Sequence, residues 1–73
     1  MPKSVSINRV RVISRMAENR VTGEELAALS GVSRSSIQKM RRGGNVWRTT
    51  AAHVAGALGV PVEFIVQKDV RVE

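Results

Sequence analysis

The chain contains no cysteine and no tyrosine, and only one tryptophan, one phenylalanine and one histidine. Without cysteine, neither a disulfide framework nor a cysteine-based zinc site can hold the fold together. That absence does not fix the redox compartment, but a small fold without staples suits the cytosol. So few aromatic rings give little support to single-strand binding by base stacking. No apolar run approaches the ~18 residues of a membrane span. The opening residues, MPKSVSINRV, lack the continuous apolar region of a signal peptide. Acidic residues are scarce: six Asp and Glu face twelve Lys and Arg, for a net charge of +6.

Catalytic and metal-binding patterns are missing too. His53 lies off the apolar stripe of its helix, with no second His, no Cys and no carboxylate at metal spacing, so it reads as a surface residue. Ser33, Ser35 and Ser36 lack a G-x-S-x-G elbow and a base within sequence reach, which makes them caps and hydrogen bonders. Glu24 and Glu25 are adjacent on a helix and point to different faces, so capping fits them better than paired acid–base work. Enzymatic activity, a cofactor, a metal, a small-molecule ligand and a membrane partner are all unsupported.

What is present is a basic, helix-patterned domain. Its 73 residues make one unit with a thin core, whose helices must bury themselves against each other or against a second copy. Arg34, Lys39, Arg41, Arg42 and Arg48 lie between Ser33 and Arg48 with no acidic residue among them. Residues 1–20 hold Lys3, Arg9, Arg11, Arg15 and Arg20 against Glu18 alone, while the stretch from Val62 onward is nearly balanced. A solvated charged surface is the plain reading of such residues. The lack of counter-charges favours an anion-binding face and a polyanionic partner.

The pattern predicts five short helices. The first spans about Ser6–Asn19, with Val10, Ile13, Met16 and Ala17 on one face. Val5, Ile7, Val10, Val12 and Ile13 are β-branched and lose χ1 freedom in a helix, so residues 3–7 could instead form an extended arm. Thr22 and Glu25 make a capping box for the second helix, where Leu26 and Leu29 supply apolar contacts. Gly31 ends that helix, and its smallness, with that of Ala27, lets the next helix pack close. Val32 points inward and Ser33 caps the third helix. Ile37 and Met40 seat it on the core and leave Arg34, Ser35, Gln38 and Lys39 on the other side. Gly43 and Gly44 break it, and Val46 plugs the core. The fourth helix, about Arg48–Leu58, carries the stripe Ala51, Val54, Ala55 and Leu58 and ends at Gly59. Pro61 opens a fifth turn with Val62, Phe64 and Ile65, where Phe64 serves as a core lid. The tail VRVE either pairs as a strand or frays.

From Val21 to Val66 these pieces resemble the lambda-repressor-like helix-turn-helix family, also called the Cro-type or xenobiotic-response-element family. TGEELAALSGVS, SRSSIQKM, RRG and AAHVAGALGV match it in order and spacing, over about two-thirds of the chain. The resemblance implies an all-α, compact five-helix domain over residues 1–73, with its helix-turn-helix core at 22–42 and a tail at 67–73. It implies a cytoplasmic regulator of transcription in a prokaryotic cell or phage-infected host. Such a protein acts on double-stranded DNA, usually as a homodimer. Carried over by position, Ser33, Arg34, Ser35, Gln38 and Lys39 become base-contacting residues. Arg34 and Lys39 suit the O6 and N7 acceptors of guanine. Thr22, Arg41, Arg42, Gly44, Asn45 and Arg48 become phosphate-contacting, Gly44 through its backbone N–H.

Three positions depart from the family pattern. Gly23 stands where members often carry a phosphate-binding Gln. Arg41 stands where many carry a Glu that forms an internal ion pair, which implies a larger non-specific component of DNA binding. The loop Gly44–Trp47 is short, and its Val46 and Trp47 are atypical; Trp47 could belong to the core, cover a phosphate or lie at a dimer contact. Two further functions share this pattern: a protein-interaction module such as an antitoxin, and a basic architectural factor that binds nucleic acid without sequence preference.

Overall fold

The computed structural model describes residues 4–67. The elements run β1 (Ser4–Ser6), α1 (Arg9–Asn19), α2 (Gly23–Ser30), α3 (Arg34–Arg41), β2 (Asn45–Trp47), α4 (Arg48–Leu58) and α5 (Val62–Ile65). One local device starts every helix. The residue before each N-cap is apolar, and so is the residue four after the cap. The pairs are Ile7 and Val12, Val21 and Leu26, Val32 and Ile37, Val46 and Ala51, Val60 and Ile65. The second member is buried in all five, and the first is buried or packed against the same core. Such a staple fixes the angle at which the chain enters a helix.

The staple explains where α1 departs from its periodicity. Asn8 is the cap, and its side chain accepts from the Arg11 N–H at 3.2 Å. The helix therefore starts at Arg9 rather than Ser6, and Val12 and Met16 turn inward. Val10 and Ile13, expected on the buried face, are 61% and 41% exposed, and Ala17 is exposed with them. The residues before the cap take the extended alternative. Ser4–Ser6 pairs antiparallel with Asn45–Trp47, Val5 opposite Val46. On its other side Ile7 bridges Val66. The Asn8 N–H donates to the Ile65 carbonyl and the Gln67 N–H to the Ser6 carbonyl, both at 2.8 Å.

The expected five helices are present, and the small two-stranded sheet is an addition to the all-α reading. In α2 the capping box forms: Thr22 Oγ1 accepts from the Glu25 N–H at 3.1 Å, and Glu25 Oε1 accepts from the Thr22 N–H at 2.9 Å. Leu26 is fully buried, but Leu29 is 63% exposed and contributes no core contact. Gly31 takes φ +73 with nothing within 4 Å of the Cβ it lacks, so the turn needs its backbone conformation and not its small size. Ile37 and Met40 seat α3 as expected, and the α4 stripe of Ala51, Val54, Ala55 and Leu58 is buried throughout. Phe64 is not a core lid: it is 38% exposed. The Arg11 guanidinium lies 4.9 Å from its ring centroid and donates to its carbonyl at 3.0 Å. No helix among the described residues is long and apolar enough to cross a membrane. The tail VRVE lies outside the described residues.

Candidate nucleic-acid interface

Two caps flank the turn at Gly31 and hold α2 and α3 in place. The second is Ser33, whose Oγ accepts from the Ser36 N–H at 3.3 Å and donates to Ser36 Oγ at 3.2 Å. Ser33 thus spends its hydroxyl at the helix start. With Ile37 and Met40 turned into the core, Arg34, Ser35, Gln38 and Lys39 are exposed along the outer side of α3. The four sit on a helix of only eight residues, so side chains at both ends can address one surface.

A shallow cleft runs between the start of α2 and this outer side. It is lined by Thr22, Gly23, Glu24, Arg34, Ile37, Gln38 and Arg41. Arg34 Nη1 meets Glu24 Oε2 at 3.3 Å, with both side chains largely exposed. Glu24 is therefore not a capping residue; that work falls to Glu25, and Glu24 holds Arg34 in reach of α2. A Cβ added at Gly23 would stand 3.0 Å from an Arg41 guanidinium nitrogen. Arg41 therefore occupies the space beside the α2 N-terminus that a longer residue at position 23 would claim. The helix dipole there adds partial positive charge to the guanidinium.

The other end of α3 is tightly wound. The Gly44 N–H, expected to face phosphate, instead donates to the Lys39 carbonyl at 2.9 Å, which corrects its assignment. A Cβ at Gly44 would come within 2.6 Å of Lys39 Cγ. Only glycine lets the Lys39 stem lie across this turn. The Cβ absent from Gly43 would touch the Arg9 side chain at 3.6 Å, which brings the start of α1 to the end of α3. Asn45 accepts a hydrogen bond from Ser6 at 3.0 Å. Arg48 reaches away to Glu63 at 3.2 Å and is tied to α5.

Charge follows the same division. Residues 26–62 contain no Asp or Glu. The acids among the described residues are all engaged: Glu18, Glu24 and Glu63 in ion pairs, and Glu25 in the capping box. Arg9, Lys39, Arg41 and Arg42 have no acidic partner among the described residues. The structure thus gathers Thr22, Arg34, Gln38 and Arg41 at one cleft, and Arg9, Lys39, Arg42 and Asn45 around the turn after α3. The structure adds Glu24, Ser6 and Arg9 to the residues that the sequence points to. No local pattern marks them, because each gains its place from residues distant along the chain. Compared with protein-family models, curated proteins and solved structures, the chain gives no match.

Proposed function

We propose that this chain is a sequence-specific regulator of transcription that binds duplex DNA as a lambda-repressor-like helix-turn-helix protein. One observation carries the reading. The outer side of α3 is polar, exposed and basic, and it is displayed by two capped helices joined at a single positive-φ glycine. An α-helix of this kind fits the major groove, where Arg and Lys pair with guanine and Ser or Gln with several base edges. Arg34, Ser35, Gln38 and Lys39 read bases on this reading. Thr22, Arg41, Arg42 and Asn45 hold the backbone, and Arg48 adds to the field.

Two copies would place their α3 helices in successive major grooves about 34 Å apart and read an inverted repeat. Selection of bound sites from a random duplex library, at near-physiological salt, tests this. An enriched inverted repeat supports the full reading, and a single enriched half-site supports base reading by one copy. Binding without enrichment gives the function to a non-specific architectural factor.

Arg42 has a separate signature. It follows α3 as its C-cap and has no acidic partner among the described residues. Arg42→Ala should weaken binding to every duplex alike and lower the slope of log affinity against log salt by about one. Salt titrations of both proteins measure this, and an unchanged slope removes Arg42 from the phosphate contacts.

A further inference from the structure

We infer that the outer side of α1 is a docking site for an acidic, amphipathic helix of another protein, and that this partner excludes duplex DNA. The docking site stands on its own geometry; the exclusion rests on the proposed DNA-binding function. Val10, Ile13 and Ala17 fall at i, i+3 and i+7 of α1, in one stripe along roughly 10 Å of helix. All three are exposed, Val10 by 61% and Ile13 by 41%. Single apolar side chains on a surface are ordinary, but a continuous stripe on a domain this small marks a contact. The Asn8 cap creates it: with Val12 and Met16 turned inward, the other apolar residues of α1 stay outside.

The stripe borders a trough with a positive margin. Ile13, Met16, Ala17 and Val21 line a shallow cleft together with Arg41. Ile13 also lines the neighbouring cleft, with Gln38, Arg41 and Arg42. No Asp or Glu lines either one. Arg9 extends the margin, since it lies against Gly43, directly after Arg42. Arg9, Arg41 and Arg42 have no acidic partner among the described residues. An apolar floor beside a row of unpaired guanidinium groups suits a helix that is apolar on one face and acidic at its edge. DNA satisfies half of this surface, because its phosphates suit the arginines and leave Val10 and Ile13 in water. A second copy carries the same +6 charge, and its described acids are already engaged. An acidic helix satisfies both halves. Arg41 and Arg42 also hold the DNA backbone on the proposed function, so helix and duplex compete for them, and the partner acts as a release signal.

The probe is a dye-labelled synthetic peptide of about four helical turns, with Leu at i, i+3, i+4 and i+7 and Glu along both margins. A peptide of the same composition in scrambled order is the control. Anisotropy reads peptide binding, and unlabelled peptide is then added to a complex with an end-labelled duplex. The ordered peptide should bind about tenfold more tightly than the scrambled one. Val10→Ser and Ile13→Ser should each weaken it by about threefold to tenfold and leave duplex affinity at the parent value. Arg41→Ala should weaken both ligands, and the ordered peptide should displace the duplex. Circular dichroism melts check that each variant folds, and Val10→Ser, at the more exposed position, carries the test if Ile13→Ser does not.

Equal affinity for the two peptides, or no loss in either serine variant, overturns the docking site. Phosphatidylserine vesicles that bind through Val10 and Ile13 more tightly than the ordered peptide also overturn it, as does a dimer that Val10→Ser dissociates. Peptide that stays bound beside the duplex, without displacing it, overturns the exclusion. Peptide binding as expected with no duplex binding at all removes the DNA reading and the exclusion, and leaves the docking site standing.

Discussion

Arg34→Ala is expected to weaken binding to the preferred duplex by about 1–3 kcal/mol and to relax base choice at one position. The residue opens α3, exposed on its outer side, where a bidentate contact to guanine is within the geometry of a groove-bound helix. Its ion pair with Glu24 sharpens the expectation. Exposed pairs of this kind contribute about 0–1 kcal/mol, so DNA can draw the guanidinium away at little cost. Glu24 still places a negative charge beside the α2 N-terminus, where the backbone of a bound duplex would pass. Glu24→Gln should therefore tighten binding to all sequences while reducing the preference for the selected one. Competition binding with cognate and scrambled duplexes reads both variants. Equal losses on the two duplexes for Arg34→Ala would sink the base-reading role.

The second large effect is on stability. Leu26→Ala should cost about 2–5 kcal/mol, because Leu26 is fully buried between α2 and the rest of the core. A single core below about 70–80 residues rarely supplies more than about 3–5 kcal/mol. The variant should therefore be largely unfolded near room temperature. Leu29→Ala, one turn on and 63% exposed, should stay within about 0.5 kcal/mol of the parent. Urea unfolding followed by far-ultraviolet circular dichroism separates the two. Equal midpoints for both variants would contradict the packing of α2.

The contrast between these leucines shows what periodicity can and cannot resolve. Spacing of three or four makes Leu26 and Leu29 equivalent, and it makes Val10 and Ile13 as good a face as Val12 and Met16. The arbiter is the cap. Once Asn8, Thr22 and Ser33 are taken as N-caps, the staple selects Val12, Leu26 and Ile37 as the buried residues. The caps at Thr22 and Ser33 are legible as polar residues ahead of apolar runs, and the α4 stripe is legible from spacing alone, whereas the Asn8 cap is hidden by the β-branched residues around it. The pairing of β1 with β2 was not legible. Three-residue strands give too little alternation to detect, and Ser6 and Asn45 are 39 residues apart. The candidate site divides in the same way. The outer side of α3 follows from helical geometry, whereas the Glu24 pair, the Arg9 approach to Gly43 and the internal bond of the Gly44 N–H depend on tertiary placement.

The arm at residues 4–8 has a kinetic consequence. Helices α2 and α3 meet across a short turn and can associate early. The arm has no place to dock until residues 45–47 and 65–67 are both positioned. Its contacts close long loops and should form after the rate-limiting barrier. Ile7→Val should then speed unfolding and leave the refolding rate unchanged, as stopped-flow denaturant jumps would show. A matching slowdown in refolding would move the arm into the nucleus. On the expected order, the earliest partial opening of the native protein frees its first residues while the helix pair stays closed.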